Sequence, residues 1–344
     1  MNSIIFTNVL IIISFFLVNT LFIKKNILLD SFKSNSHKNF VNQTSVPISG
    51  GILLIGIVFL LFENVSIINK VLFFLVFLLG FLSDTNKLSS PTYRLIVQIL
   101  IVAFYIFLNN IFVTETQIFY LDKLLNDYLF AKLIFTVFCI LILMNGTNFI
   151  DGANTLASGY FLVVLSNILI VNNLYGLEGN FFNIEYIFYF LIIFFIFNFF
   201  SKSFLGDGGS YLLGFLLGVY LINFYIVNED ISPYFIILIL WYPAFENLFT
   251  IFRRKFYDKK KVKDPDNLHL HQLIFTYLNK KIKKNKFSNT LTGIFINIFN
   301  FSAIFIGNSY VYSSYKILVI LIFLVTLYLT IYFLLRKFYN NIST

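Results

Sequence analysis

The chain has 344 residues, of which 58% are hydrophobic and only 12% charged, with 47 Phe, 21 Tyr, 5 Pro and a mean hydropathy of +0.84. A soluble domain carries roughly 25% charged residues, so the ordinary globular, disordered, collagen-like, coiled-coil and disulfide-stapled classes are excluded. The single cysteine, Cys139, lies inside an apolar run and allows no disulfide within one chain.

An all-α, polytopic membrane protein remains. A spanning helix needs about 20 mostly apolar residues. Apolar runs fall at 4–23, 47–62, 69–82, 93–113, 129–144, 156–173, 184–200, 209–226, 233–252, 290–308 and 315–335, which predicts about eleven transmembrane helices. The runs are continuous and not alternating, so a membrane barrel is excluded. The first run lacks a basic leader and a small-residue cleavage site, and reads as a retained helix. The whole chain, 1–344, reads as one transmembrane domain with a large basic loop at 253–289.

Lys and Arg set the expected orientation. With the N-terminus outside, 21 of the 25 basic residues fall in inner loops, among them Lys24, Lys25, Lys33, Lys38, Lys87, Arg94 and Lys202. Twelve more lie between Arg253 and Lys286, and only Lys70, Lys123, Lys132 and Lys316 fall outside. The positive-inside rule then gives N-out, C-in. The net charge of +9 is explained by an anionic membrane leaflet, and no nucleic-acid partner is expected.

Eight of the 16 acids belong to outer ends and loops, but Asp84, Asp151 and Asp207 fall at the inner ends of spans three, five and seven. Alternate helices run the same way, so the three carboxylates are expected at one membrane face. Asp207 sits in Gly206-Asp207-Gly208-Gly209-Ser210. Flanking glycines permit close ligand approach, free N–H groups of a helix start favour phosphate, and a carboxylate suits Mg²⁺ on a diphosphate. A plain helix N-cap is an equal reading. Asn145, Asn148 and Asp151 are spaced i, i+3, i+6, which gathers them on one side of a helix and suits a base edge or sugar hydroxyls, or else a self-capping helix end. Asp84, in Gly80-Phe81-Leu82-Ser83-Asp84, reads as an acid–base group, a cation ligand or a turn. Pro47-Ile48-Ser49-Gly50-Gly51 opens the second span, where a glycine pair serves tight packing or ligand approach. In the basic loop, His269 and His271 with no cysteine nearby make a poor zinc site, but in an extended segment both face a phosphate oxygen. Glu246 is the one acid set well inside a span, facing the helix bundle.

In this order, these segments resemble the polyprenyl-phosphate N-acetylhexosamine-1-phosphate transferases, over about residues 37–275. The motifs are Pro47-x-x-Gly50-Gly51; Gly80-Phe-Leu-x-Asp84 with Lys87-Leu88; Asn145-x-x-Asn148-x-x-Asp151-Gly152; Gly206-Asp-Gly-Gly-Ser210; and His269-x-His271. The resemblance implies transfer of a sugar-1-phosphate, an N-acetylhexosamine or 6-deoxy variant, from a UDP-sugar to undecaprenyl phosphate, releasing UMP at the cytoplasmic face of a bacterial plasma membrane. It implies Mg²⁺, with Mn²⁺ as a substitute, held by Asp207. Asp84, Asp151, His269 and His271 are the implied catalytic residues. Asn145, Asn148, Gly152, Pro47, Gly50, Gly51 and Ser83 are implied to bind substrate, and Arg253 and Arg254 are expected to clamp its phosphates. The implied partners are the lipid phosphate and a UDP-linked amino sugar, with a homodimer left open.

Three positions depart from the family pattern. Ser83 stands where the first of two Asp is usual, Asn154 where Asp-Gly-x-Asp has its second, and Gln272 where a third loop His occurs. The loop fits the glycan-initiating branch better than the peptidoglycan branch, which has a consecutive His triplet. A phosphate monoester has its second pKa near 6, so a general base at Ser83 is dispensable. The alternatives are phospho-MurNAc-pentapeptide transfer in peptidoglycan synthesis, a transporter, whose ionisable groups sit near the midplane with internal repeats, and a non-catalytic scaffold of the same fold.

Overall fold

The computed structural model describes residues 2–30, 46–177, 179, 182–259 and 266–343. Lys33, Lys38 and the Lys260–Pro265 part of the basic loop therefore lie outside the described residues. The rest is helical: α1 (Asn2–Lys25), α2 (Gly50–Leu61), α3 (Ile67–Asp84), α4 (Pro91–Asn109), α5 (Phe119–Asp127), α6 (Leu129–Ile150), α7 (Leu156–Tyr175), α8 (Ile184–Phe199), α9 (Gly206–Val227), α10 (Pro233–Phe252), α11 (Leu270–Ile282), α12 (Asn285–Gly307) and α13 (Ser314–Ser343). A two-residue ladder pairs Leu29 with Pro47 and Asp30 with Val46.

The chain is an all-α polytopic membrane protein. Among the described residues, nine helices are long and apolar enough to cross a bilayer, and α2 and α8 are shorter apolar helices. These eleven coincide with the apolar runs. The third span, read from sequence as the shortest, is a full 18 residues, whereas α2 has 12. The basic loop is more ordered than the word implies. Arg253–Tyr257 continue α10 as a π-helical turn, and α11 packs between α12 and α13.

α9 is the hub. Its residues from Gly208 to Ile222 are all buried, and α2, α3 and α6 pack around it. Lipid tails offer no hydrophobic drive for helices to associate, so close backbone approach must supply the attraction. Gly80 of α3 lies directly against the Asp207 backbone, and a Cβ on Gly51 of α2 would stand 2.8 Å from Gly209 Cα. Gly206 itself has φ +77°, a left-handed conformation that turns the chain into α9. α10 contains Pro243, which has no N–H to give the Ile239 carbonyl. The buried Tyr160 hydroxyl supplies that bond instead, at 2.7 Å.

Candidate active site

The start of α9 is fixed from two sides. On one side the Pro47–Gly51 segment lies along Phe204–Leu205: Phe204 N–H donates to the Pro47 carbonyl at 2.9 Å. Gly50 and Gly51 N–H donate to the Phe204 and Leu205 carbonyls at 3.0 and 3.1 Å. On the other side, the Asp84 carboxylate at the end of α3 accepts the N–H groups of Asp207 at 2.9 Å and Gly208 at 3.1 Å. The first-turn donors that were expected to face phosphate are therefore capped by a carboxylate from another helix. Asp207 is not its own cap.

Its side chain is thus turned to other partners. Asp207 Oδ2 accepts from Ser83 Oγ at 2.6 Å and from Arg94 Nη1 at 2.9 Å, while Oδ1 accepts from Asn148 Nδ2 at 2.8 Å. Arg94 Nη1 also reaches Ser83 Oγ at 2.5 Å and Tyr211 Oη at 3.4 Å. Asn148 Nδ2 has Ser210 Oγ at 3.1 Å as a second acceptor. One turn earlier on α6, Asn145 Nδ2 donates to Gln98 Oε1 at 3.1 Å, one turn along α4 from Arg94. Asp207 stays 30% exposed and Arg94 19%. Four helices, α3, α4, α6 and α9, thus converge on one carboxylate, using residues 124 apart in sequence at the widest.

The model of the family described as glycosyl transferase family 4 matches residues 66–225, the segment that carries this whole constellation. Over that segment the chain is similar to glycosyl transferase family 4. A relative from Bacillus subtilis (strain 168), described as a probable undecaprenyl-phosphate N-acetylglucosaminyl 1-phosphate transferase, is 28% identical over 263 residues, covering 72% of this chain and 68% of the relative.

The sequence expectations for the carboxylates divide. Asp207, Ser83 and Asn148 meet in one site. Asp151 is the C-cap of α6, one turn past Asn148, and Gly152 beside it is exposed. Asp84 is engaged as the α9 cap. Pro47, Gly50 and Gly51 brace the α9 start, and the two glycines are buried against the neighbouring backbone. Asn154 is buried with its Nδ2 on Ser201 Oγ at 2.7 Å, which ties the start of α7 to the end of α8.

The histidines form a second cluster beyond the family match. His269 caps α11, and its Nδ1 lies 2.9 Å from Glu246 Oε1. His271 stacks on it with ring centroids 5.6 Å apart and sits against Gly152, which links the cluster to the Asp151 turn. His271 is buried, with neither ring nitrogen hydrogen-bonded. Burial, with the His269 ring beside it, holds its pKa down at about 3, so the ring is neutral at pH 7. Gln272 Oε1 accepts the His269 N–H at 3.1 Å, completing a capping box.

Arg253 also departs from expectation. It is 2% exposed, donates to Asp258 at 2.5 Å and to Asp266, and lies over the Tyr332 ring. Arg254 is buried likewise. Burial would raise the Asp266 pKa, but His269 and Arg253 beside it bring it below the usual carboxylate range. The cation at the central carboxylate is instead Arg94. In the sequence it is one basic residue near the start of an apolar run, and only the fold brings it to Asp207.

Proposed function

We propose that this chain transfers a hexosamine-1-phosphate, from a UDP-linked N-acetyl sugar, to undecaprenyl phosphate with release of UMP. The reading places the Asp207 end of the bundle at the cytoplasmic face of the bacterial plasma membrane, where the basic residues concentrate, and makes the product the first lipid-linked intermediate of an envelope glycan. The observation that carries it is the single carboxylate, Asp207, on which Ser83, Arg94 and Asn148 converge. The name of the Bacillus subtilis relative supports the same reaction.

The chemistry is a displacement at phosphorus. An oxygen of the lipid phosphate forms a bond to the β-phosphorus of the UDP-sugar, the bond from that phosphorus to the bridging oxygen breaks, and UMP leaves with the electron pair. The attacking phosphate is largely a dianion at pH 7, with a second pKa near 6, so the reaction needs no general base. That agrees with Ser83 in place of a carboxylate and with Asp84 engaged by the α9 backbone. Positioning and charge stabilisation then carry the rate. Arg94 lies where negative charge builds on the phosphates, and its hold on Ser83 and Asp207 keeps the guanidinium in place.

The donor set fits a hard divalent cation. Mg²⁺ uses one or two carboxylates and takes its other ligands from water and substrate phosphate. Asp207 offers a partly exposed carboxylate of that kind, and among the described residues no cluster of three or more His, Cys, Asp or Glu could hold an ion alone. A diphosphate brought beside the Asp207 carboxylate adds negative charge, which a bound cation would balance. Bound there, Mg²⁺ would neutralise charge on the diphosphate as the leaving group departs.

The test is a product assay on the purified chain in detergent with undecaprenyl phosphate, Mg²⁺ and a panel of UDP-N-acetyl sugars, with an EDTA control. UMP release with one donor is expected. Release of UDP would mean glycosyl transfer and would contradict the reading.

A further inference from the structure

Glu246 is fully buried in α10, next to buried Asn247 and one turn before Thr250, whose Oγ1 lies 3.3 Å from His269 Nδ1, and the displacement at Asp207 makes no use of it. A carboxylate in such a place is retained only if it is paired and hydrogen-bonded. Both oxygens are occupied. Oε1 accepts from His269 Nδ1 at 2.9 Å and from the Leu270 N–H at 3.3 Å, and Oε2 accepts the Tyr328 hydroxyl of α13 at 2.6 Å. The other nitrogen of His269, Nε2, is 3.8 Å from the Asp266 carboxylate, which is beyond hydrogen-bond distance.

The geometry points to Glu246 as the positioning residue of the loop histidines: it holds the proton on Nδ1 of His269, fixes the ring, and leaves Nε2 as the nitrogen that meets the substrate. A carboxylate can only accept at Nδ1, so the tautomer follows from the pairing. The same oxygen anchors the first turn of α11 through the Leu270 N–H, so one side chain sets both the ring and the helix that presents it. Phe149 of α6 packs on the outer side, 5.1 Å from the His269 ring centroid, and His271 stacks on the ring at 5.6 Å. Tyr328 fixes Glu246 in turn, so the C-terminal helix α13 is part of the site's support although it touches none of the Asp207 constellation. The inference rests on the transferase reading for its kinetic arm only.

The test uses the full chain in detergent, labelled with ¹⁵N-histidine. The sequence holds three His, His37, His269 and His271, so single replacements assign every ring signal. In the native chain, two-bond ¹⁵N–¹H spectra should show the His269 proton on Nδ1. Glu246→Gln, which preserves volume, should move that proton toward Nε2 or mix the tautomers, and Tyr328→Phe, which removes only a hydroxyl, should do so in part. Turnover in Glu246→Gln should fall about 10- to 100-fold in kcat, as for other oriented histidines, with KM for both substrates within about twofold. In a His269→Asn background the same change should cost little more, because the two act as a unit. An unchanged His269 ring signal in Glu246→Gln, or losses that multiply as independent effects, would overturn the inference. The ring spectra read the proton whether or not the chain turns over UDP-sugar, and native turnover alone tests the reaction.

Discussion

The carboxylate of Asp84 caps the helix that begins at Asp207, taking the Asp207 N–H at 2.9 Å and the Gly208 N–H at 3.1 Å. One acid thereby spends its charge on the helix dipole so that the other projects its side chain into the site. Asp84→Ala should therefore lower stability by about 1–2 kcal/mol, the usual cost of losing an N-cap, and Asp84→Asn should recover much of it. Thermal unfolding in detergent checks this. Asp84→Ala as stable as the native chain would remove the capping account.

Arg94 is expected to matter more for turnover than any basic residue of the 253–286 loop. Arg94→Ala should cut kcat/KM by on the order of 10²–10³-fold, the scale of losing a charge-stabilising donor. Arg94→Lys keeps the charge but cannot hold Ser83, Asp207 and Tyr211 together, and should fall between. Arg253→Ala should instead lower stability, because it takes the guanidinium from Asp266 and leaves Asp258 with Arg336 alone. Steady-state kinetics beside unfolding temperatures separates the two patterns.

Ser83 donates one neutral hydroxyl to Asp207. Ser83→Ala should cost only about 1 kcal/mol of transition-state stabilisation, near fivefold in rate, with the pH profile unmoved. A collapse of activity in Ser83→Ala would give the hydroxyl a chemical role that the geometry does not assign.

His271 gives a pH signature in stability. Its folded pKa near 3 lies below the unfolded value of 6.5, so at pH below 6.5 the unfolded chain binds a proton that the folded chain refuses. Stability is full above pH 6.5 and drains as pH falls toward 3, by at most about 1.4 kcal/mol per unit. The depressed pKa of Asp266 acts in the same direction at lower pH. Unfolding temperatures between pH 7 and 5 should fall less steeply in His271→Asn than in the native chain.

Much of this was legible in the residues. Eleven apolar runs became eleven apolar helices, and the motif residues Asp207 and Asn148 lie together in the fold. α5 and α11 were not legible, because they are short and polar enough to read as loop. Arg94 was not, because one arginine near the start of an apolar run reads as an orientation signal. The role of Glu246 was also hidden: it lies 23 residues from His269 and 82 from Tyr328, and no local spacing links them. The pairing of Arg253 with Asp258 and Asp266 was hidden for a related reason. A basic loop looks solvated in sequence, while the fold buries part of it among aspartates.

The central claim is that Asp207 carries the transfer. The measurement that tests it most directly is UMP release by Asp207→Asn beside the native chain, in detergent, with undecaprenyl phosphate, Mg²⁺ and the preferred UDP-sugar. The native chain should turn over, and the variant should unfold at a similar temperature with product formation abolished. Normal turnover in Asp207→Asn would contradict the account.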